Sequence, residues 1–164
     1  SDMEYPLNKD RFYREFCRLD FSDSFGIENL KINHKLSWSS LFDQDISGIV
    51  SLKLEYKKQG DYFEFPQLPP EINNIIYNFN SQYIIIDIVI VYPLEYPFKS
   101  PFWFLGNVNT NLTDKLYEYY NYKLELHNKS IGDQFWCPAA MSMDKDILTF
   151  ISNISDFQEI VNLF

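Results

Sequence analysis

Cys17 and Cys137 are the two thiols of this 164-residue chain, and His34 and His127 are its two imidazoles. A thiolate can serve as nucleophile or metal ligand, so Cys137, set between Trp136 and Pro138, is the first residue to weigh. No cation stands beside it in sequence to hold the thiolate, and the plain reading is a structural cysteine buried as a small apolar residue. The two cysteines form no CxxC pair and are too few for the disulfide scaffold of a small secreted domain. A zinc site would need carboxylates and both histidines from distant segments, so no metal is expected. GxGxxG, HExxH, GxSxG and the Walker-type glycine loop are all absent, and five glycines leave little material for cradling a phosphate. No cofactor is expected either.

Charge points to a different kind of work. The chain carries 14 Lys+Arg against 23 Asp+Glu, a formal net charge of -9, which argues against sequence-independent binding to nucleic acid. Yet Lys9, Arg11, Arg14 and Arg18 lie within ten positions. The bland account of them is a solvated helix face; the functional one is a docking surface for an acidic protein partner, because opposite charge steers encounter. The 15 Phe, 12 Tyr and 3 Trp exclude disorder and supply both core material and interface anchors. Abundant Phe, Tyr, Ile and Asn together also follow from AT-rich coding.

The elements that must position these residues follow from periodicity. Residues 8–21 read as a helix with Phe12, Phe16 and Leu19 on its core side and the basic residues mostly opposite. Val50, Leu52, Leu54 and Tyr56 alternate with Ser51, Lys53 and Glu55, the period of a strand wet on one face. Gln59-Gly60-Asp61 reads as a turn into a strand over 62–65, and 66–82, with Pro69-Pro70, as a long loop or a short helix. Residues 84–92 are apolar at every position but Asp87, which predicts a central strand covered on both faces; the stretch is too short to cross a bilayer. Residues 102–105 make another short strand. Leu112, Leu116, Tyr120 and Leu124 predict a helix that Asn111 can cap, and Ile147, Phe150, Ile151 and Ile154 form the stripe of another. Ser155 to Gln158 has capping-box spacing and suggests a final helix. Strands joined without intervening helices favour an antiparallel meander in an α+β domain.

Between two of these strands runs Tyr92-Pro93-Leu94-Glu95-Tyr96-Pro97-Phe98-Lys99-Ser100-Pro101. Its prolines end the ladder, Tyr96 and Phe98 can cover the turn, and Pro101 opens the next strand. Tyr96-Pro97-Phe98-Lys99-x-Pro101 resembles the corresponding element of the ubiquitin-conjugating enzyme fold, and of the related RWD and ubiquitin-conjugating-variant domains that keep the fold without the chemistry. Trp136-Cys137-Pro138-Ala139 ahead of a helix from about Met143 is similar to the Trp-x-Pro-Ala segment of that family. The resemblance implies that the basic first helix contacts an activating enzyme or ligase.

The family's catalytic pieces match poorly. It places a His-Pro-Asn motif after the fourth strand, where this chain has Gly106-Asn107-Val108-Asn109. Aligning Trp136-Cys137-Pro138 on Trp-x-Pro puts the nucleophile near Asn128, where there is no cysteine, and the domain then cannot form a thioester. A rival alignment makes Cys137 the nucleophile, with His127 ten residues before it and Asn128 as oxyanion donor. A chain of 164 residues is expected to be a single domain over 1–164, and Ser1-Asp2 before Met3 marks residues 1–7 as a tag remnant and flexible lead-in. Its fold is expected to be an N-terminal helix, a four-stranded antiparallel meander and C-terminal helices. The expected function is non-catalytic: binding a ubiquitin-like modifier, the conjugation machinery or a larger protein complex, in the cytoplasm or nucleus and without membrane contact. An active enzyme using Cys137 is the alternative, and an unrelated α+β interaction protein a further one.

Overall fold

The computed structural model describes residues 10–21, 30–37, 46–58, 64–80, 82–108, 114–132 and 134–154. Among them the order is α1 (Asp10–Cys17), β1 (Leu30–Ser37), β2 (Ile46–Lys58), α2 (Pro70–Asn80), β3 (Gln82–Pro93), β4 (Phe102–Val108), α3 (Asp114–Ser130) and α4 (Met143–Asn153). The four strands form one antiparallel sheet in sequence order, β1-β2-β3-β4. The chain is therefore an α+β protein.

Strand alternation puts Val50, Leu52, Leu54 and Tyr56 of β2 on the same face as Ile84, Ile86, Ile88, Ile90 and Tyr92 of β3, and all are buried. Burying a side chain of this size contributes about 1.5–3 kcal/mol, so this double row dominates the core. Three helices cover that face. Phe12 of α1 packs on Tyr92 with ring centroids 5.0 Å apart. Tyr120 of α3 meets Tyr56, their hydroxyls hydrogen-bonded, and Phe150 of α4 lies 4.8 Å from Trp103. As expected, Phe12 and Leu19 are buried, with Phe16 half-buried against them, but α1 ends at Cys17, short of the expected 8–21, and Leu19 lies beyond it. Ile147, Phe150, Ile151 and Ile154 line the buried side of α4, also as expected. Gly48 makes the seat for α1: a Cβ there would stand 2.6 Å from the Phe12 ring.

Two expectations change, on the first strand and on the covering of β3, and one open alternative is resolved. The first strand of the meander is β1, whose apolar row Leu30, Ile32 and Leu36 is interrupted by His34 and so escapes a simple alternation test. Glu64 and Phe65 lie outside the sheet, while the proposed 59–61 turn falls outside the described residues. The segment before β3 is a helix, α2, placed between two neighbouring strands. Asn73 on α2 accepts from the Phe65 amide at 2.9 Å and donates to the Phe65 carbonyl at 3.1 Å, folding the approach back on the helix. Finally, among the described residues β3 is fully covered on one face only. Ile85, Val89 and Val91 are half-exposed, because the helices packed on β2–β4 share the opposite side. The Asn111 cap and the capping box at 155–158 lie outside the described residues.

Candidate functional site

Two turns meet at one end of the molecule. Trp136 is buried and its Nε1–H donates to the Pro97 carbonyl at 2.7 Å, tying the segment before α4 to the proline turn after β3. Tyr96 fills the space between them, with its ring 6.1 Å from Trp136 and 4.9 Å from Tyr92. The Tyr96–Pro97 bond is cis. Burial, and then the charge of Glu15, push the Tyr96 phenol above the ordinary tyrosine range. Pro101 is buried at the mouth of β4 and Pro138 half-buried. Phe98 does not cover the turn: it is 79% exposed, and Phe135 beside Trp136 is 70% exposed.

Cys137 lies in this second turn and is exposed, against the expectation of a buried structural thiol. Its carbonyl explains the placement, since it accepts from the amides of Ala140 at 3.1 Å and Met141 at 2.9 Å. The backbone is consumed by the turn, and the side chain is left outside.

His127 and Asn128, the partners proposed for that thiol, are engaged elsewhere. His127 is buried on α3, with Nε2 2.8 Å from Asp146 Oδ1 on α4. Trp103 of β4 donates its Nε1–H to the other oxygen, Asp146 Oδ2, at 3.0 Å. The imidazole rests edge-on to Trp103 and Phe150, and Nδ1 has no hydrogen-bond partner. This geometry calls for the tautomer with its proton on Nε2, which donates to the carboxylate and leaves Nδ1 as an idle acceptor. A bare acceptor is tolerated better than an orphaned N–H would be. The triad therefore clamps α3, α4 and β4 together. Asn128 uses both ends of its amide on one residue: Oδ1 accepts from the Trp103 amide at 2.9 Å, and Nδ2 donates to the Trp103 carbonyl at 2.7 Å. Neither side chain is aimed at a thiol.

The basic residues of α1 separate in the same way. Arg11 donates to the carbonyls of Pro138 at 3.1 Å and Met141 at 3.2 Å and pairs with Glu15 at 3.4 Å, so it is a fastener for the Cys137 turn. Glu15 Oε1 accepts from the Met143 amide at 3.0 Å and so caps α4 from another helix, where the Ser142 hydroxyl is turned to Asp144 instead. Arg14 and Arg18 are exposed and, with Arg11, Glu15 and Ser142, line a cleft of about 360 Å³. Lys9 lies outside the described residues. A second cleft, of about 620 Å³, runs between β4 and α3 past Phe102, Phe104, Leu124, Glu125 and Asn128.

Sequence reading missed Trp103, Asp146 and Glu15. Asp146 carried a signal, since a carboxylate at i with Ile147 and Phe150 stands on the apolar stripe of α4 and must find partners there. Among the described residues no cluster of three or more His, Cys, Asp and Glu is placed to hold a metal, and no helix is long and apolar enough to cross a membrane. No protein-family model matches the chain, and neither a curated protein nor a solved structure does.

Proposed function

We propose that this chain is a non-catalytic protein-interaction domain of the ubiquitin-conjugating-like kind, close in organisation to RWD-like and variant domains. The partner is a ubiquitin-like modifier, a component of the conjugation machinery or a larger complex. One observation carries the reading: Trp136 on Pro97, and Arg11 on Pro138 and Met141, lace α1 and two turns into one end that exposes Phe98 and Phe135. Exposed aromatics held on rigid turns lose little entropy on binding, and the arginines of α1 steer an acidic surface toward them. α3 follows β4 directly, which suits the RWD-like arrangement. The engagement of His127 and Asn128 supports a role without thioester chemistry.

Titrating the isotopically labelled chain with ubiquitin-like modifiers, activating enzyme and ligase domains tests this. Shifts confined to α1 and the two turns, lost in Phe98→Ala and in the Arg14→Glu/Arg18→Glu pair, are the expected result. A panel that leaves that end unperturbed sinks the conjugation-linked reading. The exposure of Cys137 favours a second reading, an active conjugating enzyme. Incubation with activating enzyme, ATP and modifier separates the two on a non-reducing gel. No thiol-labile adduct is expected; an adduct lost in Cys137→Ala would establish the enzyme.

A further inference from the structure

We infer that Asn128 guards an edge of the sheet, holding β4 closed against pairing with β4 of a second copy of this chain. Among the described residues β4 is the last strand of the sheet, and one side of its backbone has no neighbouring strand. Along that side, a new strand would bind the N–H and C=O of outward-facing residues at a spacing of about 4.8 Å. Trp103 is one such residue, since its N–H and C=O are both taken by the Asn128 amide, at 2.9 and 2.7 Å. A primary amide offers the same acceptor and donor as a peptide unit, so Asn128 occupies the pair of bonds that an incoming strand would make. The cleft of about 620 Å³ lies alongside, lined by both β4 and α3.

The strand itself names the occupant. Residues 101–105, Pro-Phe-Trp-Phe-Leu, carry no charge to oppose a like neighbour. Antiparallel pairing of two copies about Trp103 sets Phe102 of one across from Phe104 of the other, and both rings already stand on the open face, 58% and 40% exposed. Aromatic cross-strand pairs of this kind stabilise a ladder. The sequence of β4 is thus self-complementary, and the charged side chains that usually protect an edge are missing from it. At Trp103 a side-chain amide of α3 supplies the protection.

Asn128→Leu keeps approximate volume and removes both bonds. Its mass by light scattering is expected to climb toward twice the wild-type value across a concentration series, while near-ultraviolet circular dichroism stays native. Adding Phe104→Lys, which places a charge across the pairing register, should return it to the monomer. A folded Asn128→Leu that stays monomeric overturns the inference, as does a dimer indifferent to Phe104→Lys. If Asn128→Leu does not fold, hydrogen exchange of the unaltered chain decides. A monomer whose Trp103 amide exchanges at least about tenfold slower than an open edge amide upholds the guard. A fast Trp103 amide, or a wild-type dimer, removes it.

Discussion

The two edges of the sheet are protected by different means. On β1 the open face carries Lys31, Asn33 and Lys35, all exposed, so a strand approaching that edge meets like charge or uncompensated lysine. On β4 the corresponding positions are Phe102 and Phe104, and protection comes from an amide 25 residues away in sequence, on α3. Charge protection is written locally and survives small movements of the fold. Amide protection acts through two hydrogen bonds at Trp103 and lasts only while α3 is held in register. The Trp103–Asp146–His127 clamp is what holds it.

Breaking that clamp should therefore have the largest effect. Asp146→Ala strands the Trp103 and His127 donors in the core and is expected to cost about 3–5 kcal/mol by urea denaturation. A loss below about 1 kcal/mol would mean that α3 is positioned by packing alone. Gly48→Ala acts on the β1–β2 side, where the new Cβ meets the buried Phe12 ring, and should cost about 1–3 kcal/mol, with loosened α1 amides in hydrogen exchange.

Alkaline pH acts on the contact between the two sides. Burial pushes the Tyr56 phenol up to about 12, its bond to Tyr120 opposing the rise only in part, and Tyr120 and Tyr92 are also raised by burial. A phenol with a raised folded pKa favours the fold fully below its unfolded value near 10, and that contribution is lost as pH climbs toward the folded value. The urea midpoint is expected to fall between about pH 10 and 12, and less so in Tyr56→Phe; a flat profile contradicts the buried pair. The smallest change in stability belongs to Lys31→Thr/Lys35→Thr, within about 0.5 kcal/mol. Its effect should appear as self-association at high concentration, measured by light scattering. Equal association of this pair and Asn128→Leu would make the two protections equivalent.

Legibility followed the range of the interactions involved. Phe12, Leu19, the β2 row and the α4 stripe were readable because their burial depends on local period. β1 was not, since His34 breaks its row yet fits between Phe16 and Phe21, with ring centroids 5.4 and 5.2 Å away. The YPFKSP and WCP segments were recognisable as separate motifs, but their meeting through Trp136 and Pro97 spans 39 residues. By charge Arg11 groups with Arg14 and Arg18, although its guanidinium is spent on carbonyls 127 and 130 residues away.

By itself the sequence determined an α+β chain with an antiparallel sheet, a first helix basic on one side, and a stiff aromatic proline turn. Period, proline geometry and charge act over a few residues, and a few residues suffice to read them. What the polar side chains do depends on contacts made across the folded chain. Whether His127 and Asn128 serve a thiol or a strand depends on which groups reach hydrogen-bond distance once the core has closed, and burial there compels each donor to find the nearest acceptor. Cys137, on which a catalytic reading had to rest, was turned outward by a backbone turn that no property of the thiol itself foretold.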